Sequence, residues 1–189
     1  MIKIGILGDI GSGKSFVAKQ FGFPVFNADK EVQKIYKKNK KCFLKLKKAI
    51  PKYIFSFPIK KKEISKSIIS NQKNLKKIIK IVHPIIRLKM NQFIRKNKKK
   101  KIIILDVPLL LENKIYKKVN ILVFVEAKNK EIIKNLKKRK NYNLKILKTL
   151  KKFQLPLKYK KKKSDFIIKN NFKMKPVKKK IKLLKEKIL

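Results

Sequence analysis

Glycine, lysine and serine near the start of the chain have the spacing of a phosphate-binding loop. The segment from Gly8 to Ser15 matches the pattern G-x-x-x-x-G-K-[ST] at every fixed position. In such a loop the backbone N–H groups surround a phosphate, Lys14 reaches the β- and γ-phosphates, and the Ser15 hydroxyl binds Mg²⁺. The expected ATP-binding residues are Gly8, Asp9, Ile10, Gly11, Ser12, Gly13, Lys14, Ser15 and Phe16. An incidental glycine-rich turn is the alternative interpretation.

Two carboxylates follow apolar runs that predict strands. Asp106 ends the run at residues 102–105, and Asp29 follows a shorter run at residues 24–26. Parallel strands present their ligands at their carboxyl ends. An acid at the position of Asp106 holds Mg²⁺ directly or through water, whereas Asp29 could orient and deprotonate an attacking hydroxyl group. A helix or turn cap is the alternative for each of them.

Histidine and arginine are rare in this chain, which has one histidine and three arginines. His83 stands in the apolar segment 81–87, where a structural role is the alternative to a catalytic one. Arg139 lies in a basic segment after a predicted strand and could face the transferred phosphoryl group from a mobile lid. Its alternative is an ordinary surface cation. The sequence offers no second histidine or cysteine cluster for a protein-built metal site.

Several other phosphate-binding classes are disfavoured by what the sequence lacks. A dinucleotide fingerprint starting at Gly11 fails at its last position, which is Phe16. A D-x-x-G switch needs a later glycine, yet all five glycines lie within the first 22 residues. No N-K-x-D guanine motif is present either. These observations favour a small kinase over a hydrolytic switch.

The net charge of +47 suggests nucleic acid at first sight. Only three of the 57 basic residues are arginine, although the arginine fork grips phosphates best. Lysine, isoleucine and asparagine are abundant throughout, as expected if A/T-rich codons selected the surface residues. We therefore expect a solvated lysine surface rather than a specific nucleic-acid site. The single cysteine, Cys42, indicates a reducing cytoplasm, and the longest apolar stretch, 102–111, is too short to cross a membrane.

Alternating strands and helices predict an α/β fold with a parallel sheet. Apolar, β-branched runs predict five strands, at residues 2–7, 24–26, 102–106, 120–126 and 166–168. Apolar residues at helical spacing predict helices at 14–21, 29–36, 130–138, 144–153 and 177–189. Residues 39–101 form a helical insertion interrupted by Pro51, Pro58 and Pro84, with its clearest helices at 74–82 and 84–95.

With these residues in view, the chain resembles the dephospho-coenzyme A kinase family of P-loop kinases. The resemblance starts at the glycine loop and at Phe26-Asn27-Ala28-Asp29, which is similar to the family's I-D-A-D. It continues at 82–87, similar to H-P-L-I-R, and at 105–113, similar to L-D-I-P-L-L-F-E-N. Gln154 and residues 164–171 resemble the family's A-D-x-V-I-D-N stretch. The segments at 82–87 and 105–113 are more specific than the loop, which many kinases share.

The resemblance implies transfer of the ATP γ-phosphoryl group to the 3′-hydroxyl of dephospho-coenzyme A, with Mg²⁺. It implies that Lys14, Asp29 and Arg139 are catalytic, with Asp29 as the base and Arg139 as the lid arginine. His83 and Arg87, together with Asp29, would bind the substrate, while Ser15 and Asp106 would hold Mg²⁺. Three positions depart from the family pattern: Asn27 replaces the first acid of D-A-D, Lys169 the acid of V-I-D-N, and Thr149 an arginine.

The expected architecture is a single three-layer α/β/α domain of the P-loop NTPase fold, with a five-stranded parallel sheet. Its core covers about 1–30, 102–138 and 165–189, the helical substrate-binding insertion about 31–101, and the lid about 139–164. The expected partners are ATP and dephospho-coenzyme A, in a cytoplasmic monomer without membrane insertion. Two alternatives stay open: another small P-loop kinase for a nucleotide or metabolite, and a basic RNA-associated protein with a degenerate ATP site.

Overall fold

Five parallel strands form one sheet in the order β2-β3-β1-β4-β5. The computed structural model describes residues 1–138 and 142–189. The strands are β1 (Ile2–Gly8), β2 (Val25–Asn27), β3 (Ile102–Asp106), β4 (Ile121–Glu126) and β5 (Phe166–Lys169). All four strand pairings are parallel, so the carboxyl ends of the strands lie along one edge of the sheet. The strand arrangement confirms the expected P-loop NTPase sheet.

Helices alternate with these strands along the chain. They are α1 (Lys14–Gln20), α2 (Ala28–Lys38), α3 (Lys40–Ala49), α4 (Lys61–Ser70), α5 (Gln72–Lys96), α6 (Asn129–Lys137), α7 (Leu144–Lys152), α8 (Leu157–Lys162) and α9 (Met174–Ile188). A short 3₁₀ helix lies at Ile115–Lys118. The chain divides into two units, which are described separately. The sheet unit comprises Met1–Asn27, Asn97–Tyr142 and Phe153–Leu189, and the helical unit comprises Ala28–Lys96 and Asn143–Lys152.

The sheet is buried on both faces, which is why its strands read as continuous apolar runs. Every residue of β3 is buried, and successive side chains of a strand point to opposite faces. One face packs against α1 and α9 through a single apolar cluster. That cluster contains Ile4, Ile6, Val17, Ala18, Phe21, Ile102, Ile104, Val123, Val125, Ile168, Val177, Ile181 and Leu184. Helical layers on a buried sheet confirm the expected three-layer architecture.

A buried ion pair accompanies α8, a helix that the sequence pattern did not predict. The Lys160 side chain is 1% exposed, and its Nζ lies 2.6 Å from Glu112 Oε1. The same carboxylate oxygen accepts the backbone N–H of Leu155 at 2.9 Å. Charges removed from water need a close partner, and here a lysine of one segment supplies it to a glutamate of another. Glu112 thereby fixes residues 155–160 within the sheet unit.

In the helical unit, α5 runs without a break through Pro84. The prediction of separate helices at 74–82 and 84–95 is therefore wrong. A proline inside a helix removes one backbone hydrogen bond and costs about 3 kcal/mol. The apolar stripe on either side of it continues along one face, and that stripe is buried against neighbouring helices: Leu75, Ile78, Val82, Ile86 and Met90. Burial of this stripe offsets the cost of the missing bond.

Helix α3 carries the only cysteine of the sequence. Cys42 is buried and unpaired, so it fills space in the helical unit, as the sequence suggests. Across residues 1–138 and 142–189, no helix has both the length and the apolar character needed to cross a membrane.

The burial of β3 leads to a stability prediction. Ile104→Ala should lower the free energy of unfolding by about 2–5 kcal/mol, because it leaves a cavity in the buried apolar cluster against the sheet. The matched variant Ile167→Ala, at a side chain 45% exposed on edge strand β5, should lower it by less than about 1 kcal/mol. Urea denaturation followed by circular dichroism measures both changes. Equal losses in the two variants would contradict this description of the core.

Candidate functional site

The glycine loop links the end of β1 to the start of α1 and requires glycine at two points. Gly8 has φ of +145°, and a Cβ there would lie 2.6 Å from the carbonyl oxygen of Val125. Gly13 precedes α1 with φ of +85°, a left-handed conformation that side chains disfavour. The Ser12 N–H donates to the carbonyl of Asp9 at 3.2 Å and closes the turn. The spacing of these glycines therefore reflects the path of the backbone.

Two groups of the loop have the chemistry that a phosphate needs. Lys14 Nζ donates to the carbonyl oxygens of Asp9 at 2.7 Å and Gly8 at 3.2 Å, so its ammonium group lies over the loop. The Ser12 hydroxyl is buried and has no hydrogen-bond partner among the residues that the structure describes. A buried hydroxyl group costs free energy until a partner satisfies it. A phosphate oxygen is a suitable acceptor for both groups.

Ser15, Asp106 and Asn27 meet at the carboxyl edge of the sheet. Ser15 Oγ donates to Asp106 Oδ2 at 2.5 Å. Asn27 Nδ2 donates to the same carboxylate oxygen and lies 3.1 Å from Ser15 Oγ. The register of β2 and β3, which pairs Asn27 with Asp106, fixes this contact. We refer to these three side chains as the Ser15–Asp106–Asn27 cluster.

The environment of Asp106 shows why its charge matters. Its side chain is almost wholly buried, and burial raises the pKa of the carboxyl above its ordinary value by disfavouring the charged form. The Ser15 hydrogen bond, the Lys14 charge and the Asn27 hydrogen bond oppose that rise in pKa. A divalent cation would favour the ionised form in the same direction as these three groups.

Mg²⁺ fits the donor set of this cluster. Mg²⁺ is commonly bound by one or two carboxylates together with substrate phosphates, and it keeps several waters. The Asp106 carboxylate and the Ser15 hydroxyl are oxygen donors of this kind. Among the described residues no group of three or more His, Cys, Asp or Glu side chains could hold a metal on its own. The two oxygen donors, from Asp106 and Ser15, fit a Mg²⁺ ion that is also bound by phosphates.

Asn170 is a site residue that the sequence reasoning did not single out. It follows β5 and is 4% exposed, and its Nδ2 donates to the carbonyl oxygen of Ser12 at 2.8 Å. Its Oδ1 accepts the N–H of Phe172 at 2.9 Å, which fixes the orientation of the amide. The resemblance to A-D-x-V-I-D-N could have identified Asn170, because that stretch ends in an asparagine at this position.

The remaining predicted residues lie elsewhere in the chain. Phe16 is partly buried, and its ring packs against the core cluster of the sheet unit. Asp29, in the first turn of α2, is exposed. On α5 of the helical unit, half-buried His83 and exposed Arg87 are one helical turn apart on one face. Arg139 lies outside the described residues. The functional roles of these residues, like those of the loop residues and of Asp106, stay predictions.

Comparison of the sequence with known proteins shows which family the chain is similar to. A family model described as dephospho-CoA kinase matches residues 2–175. The dephospho-CoA kinase of Wolbachia pipientis wMel is 36% identical over 170 residues, which cover 87% of each chain. That of Bartonella quintana (strain Toulouse) is 32% identical over 170 residues with the same coverage.

Solved structures support the fold. The crystal structure of TT1252 from Thermus thermophilus has a TM-score of 0.75 at 23% identity, covering 100% of this chain and 98% of that chain. A dephospho-CoA kinase from Campylobacter jejuni has a TM-score of 0.63 at 23% identity, covering 98% and 96%. Both likenesses confirm the expected fold over nearly the whole chain.

The loop geometry predicts a difference between two glycine-to-alanine variants. Gly13→Ala adds a left-handed strain of about 1–2 kcal/mol and places a Cβ against Asn170 Nδ2, closer than van der Waals contact. Gly22→Ala adds a similar strain at φ of +73°, but its nearest neighbour is 4.0 Å away. We expect Gly13→Ala to weaken binding of a fluorescent ATP analogue about tenfold or more, whereas Gly22→Ala leaves it unchanged. Equal affinities of the two variants would contradict the role of Asn170.

Proposed function

The chain belongs to the dephospho-CoA kinase family, and we propose that it transfers the γ-phosphoryl group of ATP to the 3′-hydroxyl of dephospho-coenzyme A. This reaction is the final step of coenzyme A synthesis. The observation that carries the proposal is the contact of Ser15 with Asp106 beside the glycine loop, in a chain whose residues 2–175 match the family model. Neither alternative, another small metabolite kinase or an RNA-associated protein, is favoured by the comparisons.

Phosphate binding in this mechanism belongs to the glycine loop. The loop amides and the positive end of α1 attract the β- and γ-phosphates of ATP. The Lys14 ammonium moves from the carbonyl oxygens of Gly8 and Asp9 to the phosphates, and the Ser12 hydroxyl donates to a phosphate oxygen. Phosphoryl transfer requires little covalent chemistry from the protein, so positioning and charge neutralisation supply most of the rate.

Ser15 and Asp106 would hold Mg²⁺ in this mechanism. When bound, the ion neutralises charge on the transferred phosphoryl group. Asp106 supplies the carboxylate, and Ser15 supplies a hydroxyl oxygen once its proton turns away from Asp106. The hydrogen bonds from Asn27 and Asn170 keep the carboxylate and the loop in place meanwhile.

The acceptor side of the reaction is assigned to Asp29, His83 and Arg87, and the lid is assigned to Arg139. Asp29 orients the 3′-hydroxyl and accepts its proton as the hydroxyl oxygen attacks the γ-phosphorus. The bond from that phosphorus to the bridging oxygen breaks, and ADP leaves. His83 and Arg87 bind the substrate from one face of α5, and Arg139 faces the phosphates from the lid. The resemblance of 26–29 and 82–87 to the family's motifs supports the roles of Asp29, His83 and Arg87, and the role of Arg139 rests on its match to the family's lid arginine.

The setting of the reaction is also a proposal. We place the enzyme in the cytoplasm as a monomer, with ATP and dephospho-coenzyme A as its partners and with no specific nucleic-acid ligand. The single cysteine supports a reducing compartment.

A coupled assay of ADP release tests the proposed function. We expect ATP consumption to depend on dephospho-coenzyme A and to be much slower with nucleoside monophosphates. Lys14→Ala should reduce the rate about 100-fold or more, because a charge over the transferred group is lost. Faster turnover with a nucleoside monophosphate would favour the other kinase interpretation, and RNA binding without ATP consumption would favour the RNA-associated one.

The assignment of Asp29 makes a separate prediction. Asp29→Asn should reduce kcat about 100-fold or more, because the 3′-hydroxyl loses its base, while the affinity for ATP stays near that of the wild type. Glu31→Gln is the matched control. It removes the same charge from the same first turn of α2, where the Glu31 carboxylate pairs with the exposed Lys34 ammonium at 2.7 Å. Near-normal turnover of Asp29→Asn, or an equal loss in Glu31→Gln, would contradict the role.

A further inference from the structure

In the Ser15–Asp106–Asn27 cluster, Asn27 supplies an amide. A carboxylate at that position would change how the cluster binds a divalent cation. Asn27 Nδ2 and Ser15 Oγ both donate to Asp106 Oδ2. An amide nitrogen is only a donor, so the Nδ2 end of Asn27 is the end that faces this oxygen. The oxygen of Asp106 that faces the other two side chains therefore already accepts two hydrogen bonds.

The backbone leaves position 27 no other place. Asn27 is the last residue of β2 and is paired with Asp106, the last residue of β3. Any side chain at position 27 therefore starts beside the carboxylate. An aspartate there, as in the D-A-D pattern that the chain resembles, would set two negative charges in contact in a partly buried place. Such a pair needs a proton or a cation between its members, whereas the amide does not.

The charges around the cluster point the same way. Asp106 is the one carboxylate of the three side chains, and the Lys14 ammonium is close enough to act on it electrostatically. A free divalent cation entering the cluster would compete with these hydrogen bonds for the Asp106 carboxylate and would approach the Lys14 ammonium. When the cation is already bound to phosphates, those phosphates carry negative charge, and Lys14 attracts them.

We propose that Asn27 keeps the affinity of the nucleotide-free protein for divalent cations low, so that Mg²⁺ enters this site as its complex with ATP. The inference rests on the proposed binding of ATP phosphates by the glycine loop. Asn27 acts through Asp106 and is therefore a positioning residue. In this chain the order of events follows from it: nucleotide and cation bind together, and the empty cluster stays closed by its own hydrogen bonds.

Titration with Mn²⁺, followed by electron paramagnetic resonance of the free ion, tests the proposal without any turnover. We expect the wild type to bind Mn²⁺ weakly alone and about tenfold or more tightly in the presence of ADP. Asn27→Asp should bind Mn²⁺ alone about tenfold or more tightly than the wild type does, since it adds a carboxylate ligand and removes a donor. An Asn27→Asp affinity within about threefold of the wild type would overturn the proposal.

Asn120→Asp is the matched control for added charge. Asn120 precedes β4 at the opposite end of the strand from Glu126, and its Oδ1 accepts the N–H of Lys3 at 2.9 Å. An aspartate keeps that acceptor and adds the same charge away from the cluster. Its affinity for Mn²⁺ should match that of the wild type. An equal rise in both variants would show that net charge alone sets the affinity, and would overturn the proposal.

Asn27→Ala separates the lost donor from the added charge. It should bind Mn²⁺ slightly more tightly than the wild type, because one hydrogen bond to Asp106 is gone. Weaker binding would mean that Asn27 is itself a ligand, which contradicts the proposal. If Asn27→Asp fails to fold both with and without Mn²⁺, Asn27→Ala alone tests whether Asn27 lowers the affinity for divalent cations. None of these titrations uses dephospho-coenzyme A. If the protein phosphorylates a different acceptor, the coupled assay fails but the Mn²⁺ affinities are unaffected.

Discussion

The hydrogen bond between Ser15 and Asp106 is the interaction on which the site depends. It joins the start of α1 to the end of β3, and Asn27 adds the end of β2. These side chains can meet only because the strand order β2-β3-β1 places the three segments side by side. On the other side of the loop, Asn170 after β5 holds the carbonyl of Ser12. The loop thus depends on contacts from both halves of the sheet.

Local patterns in the sequence predicted the parts of the site that depend on neighbouring residues. The glycine spacing predicts the loop because Gly8 and Gly13 have positive φ angles and no room for a Cβ. Continuous apolar runs identify strands buried on both faces, and an acid at the end of one of them identifies Asp106. Contact between Ser15 and Asp106 then follows from the general rule that parallel strands present their ligands at one edge.

Long-range packing decides what the sequence could not predict. Lys160 and Lys161 are adjacent in a lysine run, yet Lys160 is buried against Glu112 while Lys161 pairs with Glu126 at the surface. Nothing in the run distinguishes them, because the partner lies tens of residues away. A proline normally interrupts a helix, but α5 continues through Pro84 because buried residues on both sides of it stabilise the helix. Asn170 looks like a polar turn residue until its contact with Ser12 is seen.

The central claim is that this loop and cluster direct the γ-phosphoryl group of ATP to the 3′-hydroxyl of dephospho-coenzyme A. The most direct measurement follows a γ-labelled phosphoryl group from ATP in the presence of dephospho-coenzyme A and identifies the labelled product by chromatography and mass spectrometry. The account predicts that the label appears in coenzyme A, with its phosphate on the 3′-oxygen of the ribose. Label released as free phosphate, or found on another position or acceptor, would contradict it.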